Sequence, residues 1–141
     1  MIRYQAKIYP DGRGYSVEFP DLPGCFSQGG SREDAVKNAR ESLSLYLEEA
    51  RDPKWQVPKP KTRKGRHYYW ITPHEDVAIP LMIRQARIRH GLTQRELATR
   101  LGITLQQVQK FEMPGKSNPT VRTLAHICEA LKAPLIIELA A

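Results

Sequence analysis

The first residues alternate between apolar and polar side chains, which is the period of a half-buried β-strand. Every second residue from Ile2 to Ile8 is apolar, and the residues between them are polar or charged. A turn-forming stretch at 10–14 separates this run from a second alternating run at 15–19. The two runs predict a β-hairpin, and residues 25–28 predict a short third strand.

The spacing then changes to that of an amphipathic helix. Ser31 and Asp34 stand three residues apart, as in a capping box, where side-chain oxygens bind free backbone N–H groups. An apolar stripe behind them extends to Ala50, so we predict one helix packed on a small sheet. Residues 67–71 predict a further strand of that sheet. The prolines and basic residues of 53–66, with no acidic residue among them, indicate a linker or an exposed edge.

Two short capped helices lie at the centre of the second half. Thr93 and Glu96 have the spacing of a capping box, and so do Thr104 and Gln107. A glycine turn at Gly102 separates the two helices. Two capped short helices joined in this way predict a helix-turn-helix.

Longer helices are expected on both sides of this pair. Residues 79–80 open the first, because proline is tolerated in the first turn of a helix, and Gly91 ends it. The other follows residues 118–120 and buries its apolar positions between 121 and 131. The apolar run at 135–139 is a candidate terminal strand, suited to pairing with a second copy of the chain.

The helix that begins after Thr104 has an outer face with a distinct chemistry. With Val108 in the core and about 100° per residue, Gln106 and Lys110 lie opposite, flanked by Gln109. No carboxylate lies on this face. Glutamine can form paired hydrogen bonds with adenine, and lysine can donate to guanine or phosphate. Periodicity alone fits an ordinary solvated surface, but the two capping boxes favour a recognition helix.

Charge separates the two halves of the chain. Residues 1–60 carry nine basic and nine acidic side chains, whereas residues 61–141 carry 13 and six, so the net charge of +7 belongs to the second part. This asymmetry indicates contact with a polyanion, although a solvated basic surface has the same signature. A length of 141 residues accommodates one ordinary domain or two very small ones, which excludes a barrel or doubly wound catalytic core.

The cysteines and the N-terminus indicate an ordinary cytoplasmic protein. Cys25 and Cys128 match no metal-ligand spacing and are too few for a disulfide scaffold. No apolar run approaches the ~18–20 residues that span a bilayer. The first residues lack the apolar core of a signal peptide. We therefore expect a cytoplasmic location and no membrane association.

Residues 79–133 resemble the Cro/repressor-type (XRE) helix-turn-helix family. The matching string runs through 91–98 and 101–104 and continues at Val108 and 118–119. Because the match is long and falls at particular positions of the motif, it is specific for this family. The resemblance implies a DNA-binding domain that acts as a homodimer or higher oligomer on double-stranded operator DNA.

The same resemblance implies roles for individual residues. Gln94 is expected to bind a DNA phosphate, and Arg87 is expected to pair with Glu112 inside the domain. The start and outer face of the recognition helix are expected to meet base edges or the DNA backbone. The whole expected DNA-binding set is Gln94, Thr104, Leu105, Gln106, Gln107, Gln109 and Lys110. The loop after Glu112 is longer than the family's by about one residue, so no loop–phosphate contact is predicted.

Residues 2–60 resemble the HicB antitoxin family. The resemblance rests on Gly14-Tyr15, on the run 20–29 and on the helix end at 45–49. It implies a partial ribonuclease-H-like fold that neutralises a HicA-type toxin, a small RNA-cleaving protein. It also implies a division of the chain into a toxin-binding domain at 1–75 and a DNA-binding domain at 77–141.

Acidic side chains are the candidate toxin contacts, because an RNA-binding toxin must be basic. Taken alone, the three glutamates of the helix fit a solvated helix end equally well. The residues expected to contact the toxin are Asp21, Phe26, Glu41, Glu48 and Glu49.

No catalytic site is predicted. Ribonuclease-H chemistry needs clustered carboxylates that hold two metal ions, whereas Asp11, Glu18 and Asp21 fall on a turn, a strand and a loop. We expect no catalytic residue, no metal and no cofactor. The predicted fold class is α+β, with an all-α C-terminal domain. The predicted function is that of a HicB-type antitoxin that also represses its own operon, and the alternative is a stand-alone repressor whose first half senses a small ligand.

Overall fold

The computed structural model describes residues 1–50, 52 and 55–139, so Pro53 and Lys54 of the predicted linker lie outside the described residues. The first half contains a four-stranded antiparallel sheet in the order β3-β2-β1-β4. The strands are β1 (Tyr4–Asp11), β2 (Gly14–Glu18), β3 (Phe26–Gly29) and β4 (Tyr68–Ile71). The predicted hairpin, third strand and closing strand are confirmed.

One long helix, α1 (Arg32–Glu48), covers one face of this sheet. The hydroxyl of Ser31 caps the helix by accepting a hydrogen bond from the N–H of Asp34 at 3.1 Å. The apolar stripe of α1 meets the apolar face of the hairpin, as the two periodicities predict. The core between them includes Tyr4, Ala6, Ile8, Val17, Ala35, Ala39, Leu43 and Leu47. The predicted α+β class is confirmed.

The described residues 55–67 of the basic segment between α1 and β4 form no strand, and they are tethered to the first half. The side chain of Gln5 binds both backbone groups of Arg63, accepting from its N–H at 2.5 Å and donating to its carbonyl at 3.2 Å. The carboxylate of Asp21 accepts from the N–H of Lys61 and from the Arg63 guanidinium, each at 2.8 Å. The segment is therefore a structural part of the first half.

The first helix of the second half, α2 (Glu75–Arg89), begins earlier than predicted. The expected start at 79–80 is wrong, because Glu75 and Asp76 already occupy the first turn, where acidic side chains offset the helix dipole. Pro80 consequently lies inside the helix, where its missing N–H leaves a backbone carbonyl without its usual partner.

The helix α2 contributes to two hydrophobic cores. Val77 and Leu81 belong to the core of the first half, whereas Ile83 belongs to the core of the second half. The two halves therefore share one helix instead of being joined by a free linker.

The second core lies between α2 and three shorter helices, α3 (Gln94–Leu101), α4 (Leu105–Phe111) and α5 (Val121–Ala130). Both predicted capping boxes form, Thr93 with Glu96 and Thr104 with Gln107. Gly102 ends α3 in the left-handed conformation, which glycine adopts without steric cost. The predicted helix-turn-helix is confirmed.

One prediction for the end of the chain is wrong, and another concerns pairing with a second copy of the chain and stays a prediction. Val121 is 61% exposed, because it lies about 120° around α5 from the buried Ile127. Residues 135–139 form no strand, and Ile136 and Leu139 are 81% and 91% exposed. A strand needs a neighbour for its backbone hydrogen bonds, and no strand of the described chain pairs with this run.

A buried ion pair joins α2 to the end of α4. Arg87 donates from Nε to Oε1 of Glu112 at 2.5 Å and from Nη2 to Oε2 at 3.0 Å. Its Nη1 donates to the carbonyl of Leu92 at 2.7 Å. The two side chains are only 8% and 1% exposed, so this two-pronged pair is shielded from water.

We expect Asp21→Asn to destabilise the protein by about 2 kcal/mol at neutral pH, because hydrogen bonds to charged groups contribute about 1.5–3 kcal/mol. The hydrogen bond from Arg63 is the main cause that holds the pKa of Asp21 below its ordinary value. The carboxylate's contribution is therefore complete above the ordinary aspartate pKa of about 3.9 and is lost as pH falls through the lower pKa of the folded protein. Thermal unfolding at a series of pH values measures this.

The matched control is Asp11→Asn, which removes the same charge from an exposed carboxylate that accepts a hydrogen bond from Ser16. We expect a small effect from the control. Equal destabilisation by both substitutions, or a difference between wild type and Asp21→Asn that persists in strong acid, would contradict the role given to this ion pair.

We expect Glu112→Ala and Arg87→Ala each to destabilise the second half by about 3–5 kcal/mol, because each leaves an unpaired charge in a buried site. Removing both partners together should cost less than the sum of the two single changes. Chemical denaturation of the wild type, the two single variants and the double variant measures this double-mutant cycle. The substitution Glu129→Ala, at an exposed position, is the control. Unchanged stability of Glu112→Ala would show that the pair does not brace this domain.

Candidate functional site

The outer face of α4 is the candidate nucleic-acid interface. Gln106, Gln109 and Lys110 are exposed there, while Val108 is fully buried on the opposite side. The structure thus gathers two amides and one ammonium group on one surface of one helix. These groups can donate to base edges and phosphates, and the amides can also accept.

The start of α4 combines a capping role with exposure. The Oε1 atom of Gln107 accepts the N–H of Thr104 at 2.9 Å, and the Thr104 hydroxyl accepts the N–H of Gln107 at 3.2 Å. Gln107 therefore uses its amide oxygen inside the capping box and keeps its amide NH₂ for other contacts. Leu105 is half-buried beside them.

Gln94 occupies the first turn of α3 and is connected to the buried ion pair. Its Nε2 donates to Oε2 of Glu112 at 3.0 Å, the same oxygen that accepts from Arg87. The carboxylate of Glu112 therefore fixes the orientation of the Gln94 side chain. The sequence did not indicate this contact, because 18 residues separate the partners and no local pattern links them.

The predicted acidic residues of α1 lie in three different settings. Glu41 is exposed and accepts from Nε2 of His74 at 3.1 Å, and Glu49 is exposed at the C-cap of the helix. Glu48 is half-buried, with its carboxylate packed against Gly115 of the second half. Glu41 and Glu49 therefore remain available to a partner, and Glu48 lies at the contact between the halves.

The remaining two predicted contacts differ in accessibility. The side chain of Asp21 is 5% exposed and paired with Arg63, so its carboxylate acts within the domain. Phe26 is 65% exposed on β3. Its cross-strand partner is Glu18, on the sheet face away from α1. Phe26 is therefore accessible to a partner protein.

Two findings concern the thiols and the metal-ligating side chains of the described residues. Burial raises the pKa of the Cys25 thiol to about 11, which disfavours the reactive thiolate. In the described ranges, no three histidine, cysteine or carboxylate side chains are placed to hold a metal ion. No described helix has the length and apolarity to cross a membrane.

Two protein families match this chain. Residues 4–69 match the family described as HicB-like antitoxin of bacterial toxin-antitoxin systems. Residues 83–136 match a helix-turn-helix family. The two matches cover the sheet-containing half and the helical half, in that order.

Individual proteins and solved structures are similar to the chain, and three examples follow. Antitoxin HicB 2 of Photorhabdus laumondii is 28% identical over 134 residues, which cover 92% of this chain and 91% of that protein. A UPF0150 protein of Thermoplasma acidophilum is 34% identical over 59 residues, which cover 41% of this chain and 86% of that protein. A structure entitled HicA3 and HicB3 toxin-antitoxin complex aligns with a TM-score of 0.42 and 22% identity, covering 52% of this chain and 99% of that one.

The family match thus falls on the part of the chain where the sheet and α1 form one core. The helix-turn-helix match includes both capping boxes and the buried ion pair. The first half of the chain therefore carries a HicB-like antitoxin domain at residues 4–69, and the second half carries a helix-turn-helix domain at residues 83–136.

Proposed function

We propose that this antitoxin has two activities, which are to neutralise a HicA-type toxin with its first half and to bind its own operator DNA with its second half. The observation that carries the DNA-binding activity is the exposed, carboxylate-free outer face of α4. The family match and the similarity to an antitoxin from Photorhabdus laumondii support the toxin-binding activity.

On operator DNA, α4 enters the major groove and α3 lies across the backbone. Gln106 reads a base edge, and Lys110 donates to guanine or to phosphate. Gln94, oriented by Glu112, donates its remaining amide hydrogen to a phosphate. The other proposed contacts, to bases or backbone, are Thr104, Leu105, Gln107 and Gln109.

A second copy of the chain completes the operator complex. The exposed apolar side chains of Ile136, Ile137 and Leu139 support this step, because apolar groups in a short run are stabilised by burial against a partner. Pairing of two such runs would supply the backbone partners that a strand needs. Two recognition helices then face half-sites about 34–36 Å apart.

Toxin binding is assigned to the first half, with acidic groups that steer a basic partner. The proposed surface includes Glu41, Glu49 and the exposed Phe26, because these side chains are accessible. The chain inhibits by covering the toxin's RNA-binding surface. The unit at 1–75 needs Val77 and Leu81 of α2 to complete its core, so a test of toxin binding requires the full chain.

We expect Gln106→Ala to weaken operator binding by about 1–3 kcal/mol and to relax the preference for one base pair, because Gln106 reads a base edge. Gln94→Ala should weaken binding to all sequences alike, because phosphates carry no sequence information. Binding of the purified chain to the operator and to single-base variants, at fixed salt, measures both effects. Unchanged sequence preference in Gln106→Ala would contradict the assigned role.

We expect Glu41→Lys combined with Glu49→Lys to reduce rescue of cells that express the toxin, because charge reversal slows the encounter with a basic partner. Glu33→Lys combined with Asp34→Lys is the control, since it makes the same total charge change at the exposed opposite end of α1. Growth at matched protein levels measures rescue. Equal rescue by the double variant and the control would exclude the acidic end of α1 from the toxin-binding surface.

A further inference from the structure

The side of the sheet that points away from α1, which we call the open sheet face, carries aromatic side chains in register across the strands. Phe26 of β3 pairs with Glu18, Glu18 pairs with Lys7, and Lys7 pairs with Tyr68 of β4. Because side chains alternate along a strand, these four lie opposite the hydrophobic core. One row across the sheet thus has an aromatic ring on each edge strand, and the ammonium group of Lys7 offsets the carboxylate beside it.

The rows on either side of this one combine aromatic rings with cations. In one row Trp70 is 37% exposed, and Cζ of Arg3 lies 4.4 Å from the centre of its ring. In the other row Tyr9 pairs with Ser16, and Nζ of Lys7 lies 5.3 Å from the centre of the Tyr9 ring. Both distances lie within the range of a cation–π interaction. The open sheet face therefore places rings and positive charges side by side.

The basic segment before β4 brings further cations to the same side. Gln5 is the cross-strand partner of Trp70, and its side chain binds both backbone groups of Arg63. Gly65 packs closely beside the ring of Tyr68. The segment is therefore held against the open sheet face, and its exposed basic side chains are Lys61, Lys64 and Arg66.

This arrangement changes which half carries the positive charge. Residues 1–60 are balanced, and residues 61–66 contain four basic side chains and no acidic one, so residues 1–66 have a net charge of +4. Gln5 and Asp21 tie that segment to the sheet. More than half of the chain's net charge of +7 therefore accompanies the first half. The duplex-binding face proposed for α4 does not account for this charge.

A single-stranded nucleic acid has the chemistry that fits the open sheet face. Unpaired bases stack on aromatic side chains, and the phosphates between them bind neighbouring cations. A double helix keeps its bases stacked on one another, so it cannot use exposed rings in this way. The rings and the cations of this face are thus explained together by one kind of ligand.

We propose that the open sheet face is a binding site for single-stranded RNA, separate from the operator-binding face of α4. Bases stack on Phe26 and Trp70, and the basic side chains of 61–66 bind the phosphates. Gln28 is exposed two residues after Phe26, on the same face, and its amide binds a ribose 2′-hydroxyl, the group that distinguishes RNA from DNA.

The site is tested with an oligouridine of about 12 nucleotides and an oligodeoxyuridine of the same length. The full chain has two tryptophans, and Trp55 packs against the core of the first half, so quenching by a stacked base reports on Trp70. We expect the RNA to quench this fluorescence and to bind about threefold or more tightly than the deoxy strand. In Trp70→Phe, which keeps an aromatic ring, the quenching should vanish while the affinity stays within about twofold.

Phe26→Ala should weaken RNA binding by about fivefold or more, because it removes a ring on which a base stacks. Since Phe26 is 65% exposed, this variant keeps the core intact, and thermal unfolding checks that it folds. The matched control is Leu45→Ala, which removes a 58% exposed apolar side chain from α1, on the other side of the sheet. The control should bind RNA as the wild type does.

Four results would overturn the proposal. Undiminished binding by Phe26→Ala, an equal loss in Leu45→Ala, or quenching that survives in Trp70→Phe would each place the RNA elsewhere. Equal or tighter binding of the deoxy strand would overturn the assignment to RNA. Failure of the folded wild type to bind the oligouridine would leave the exposed rings to a protein partner. The measurements contain no toxin and no operator, so they are independent of the proposed function.

Discussion

The second half depends on the groups that converge on Glu112. The carboxylate of this residue binds Arg87 and Gln94, and its carbonyl binds Arg84. One residue at the end of α4 thereby binds α2 and α3, and Arg84 extends the connection to Ala50 of the first half. A buried carboxylate is stable only when all of its hydrogen-bonding partners are present. The position of α4 is therefore tightly constrained.

The charged groups that hold the fold together are buried, and they differ from the charged groups that are exposed at the surface. The polar groups that hold α4 are buried behind it, which leaves its outer face to amides and one lysine. In the first half, the Asp21–Arg63 pair likewise serves the fold, whereas Glu41 and Glu49 remain at the surface. The accessible charges are therefore the ones available to a macromolecular partner.

Local patterns predicted most of the fold, because hairpins and capped helices are encoded by neighbouring residues. Alternation predicted β1 and β2, and the offsets of Thr93 and Thr104 predicted the starts of α3 and α4. The start of α2 was wrong, since the proline signal suggested a first-turn position that acidic residues had already taken. The terminal strand stays a prediction, because a strand at 135–139 depends on a partner that one chain does not provide.

The contacts between the halves could not be predicted from sequence. Arg84 stands 28 residues from Glu112 and 34 from Ala50, and an arginine that binds carbonyls has no complementary charge to reveal its partners. The same holds for Gly115, whose fit depends on Glu48 of a distant helix. Packing of three helices creates these sites, so only the folded chain shows them.

The proposed inhibition of a HicA-type toxin is tested most directly by the rate at which a purified HicA-type toxin cleaves RNA. Cleavage is measured at increasing concentrations of the purified full-length chain. We expect cleavage to fall to background when the chain reaches a stoichiometric amount. Cleavage that continues at the same rate in a large excess of the folded chain would contradict it.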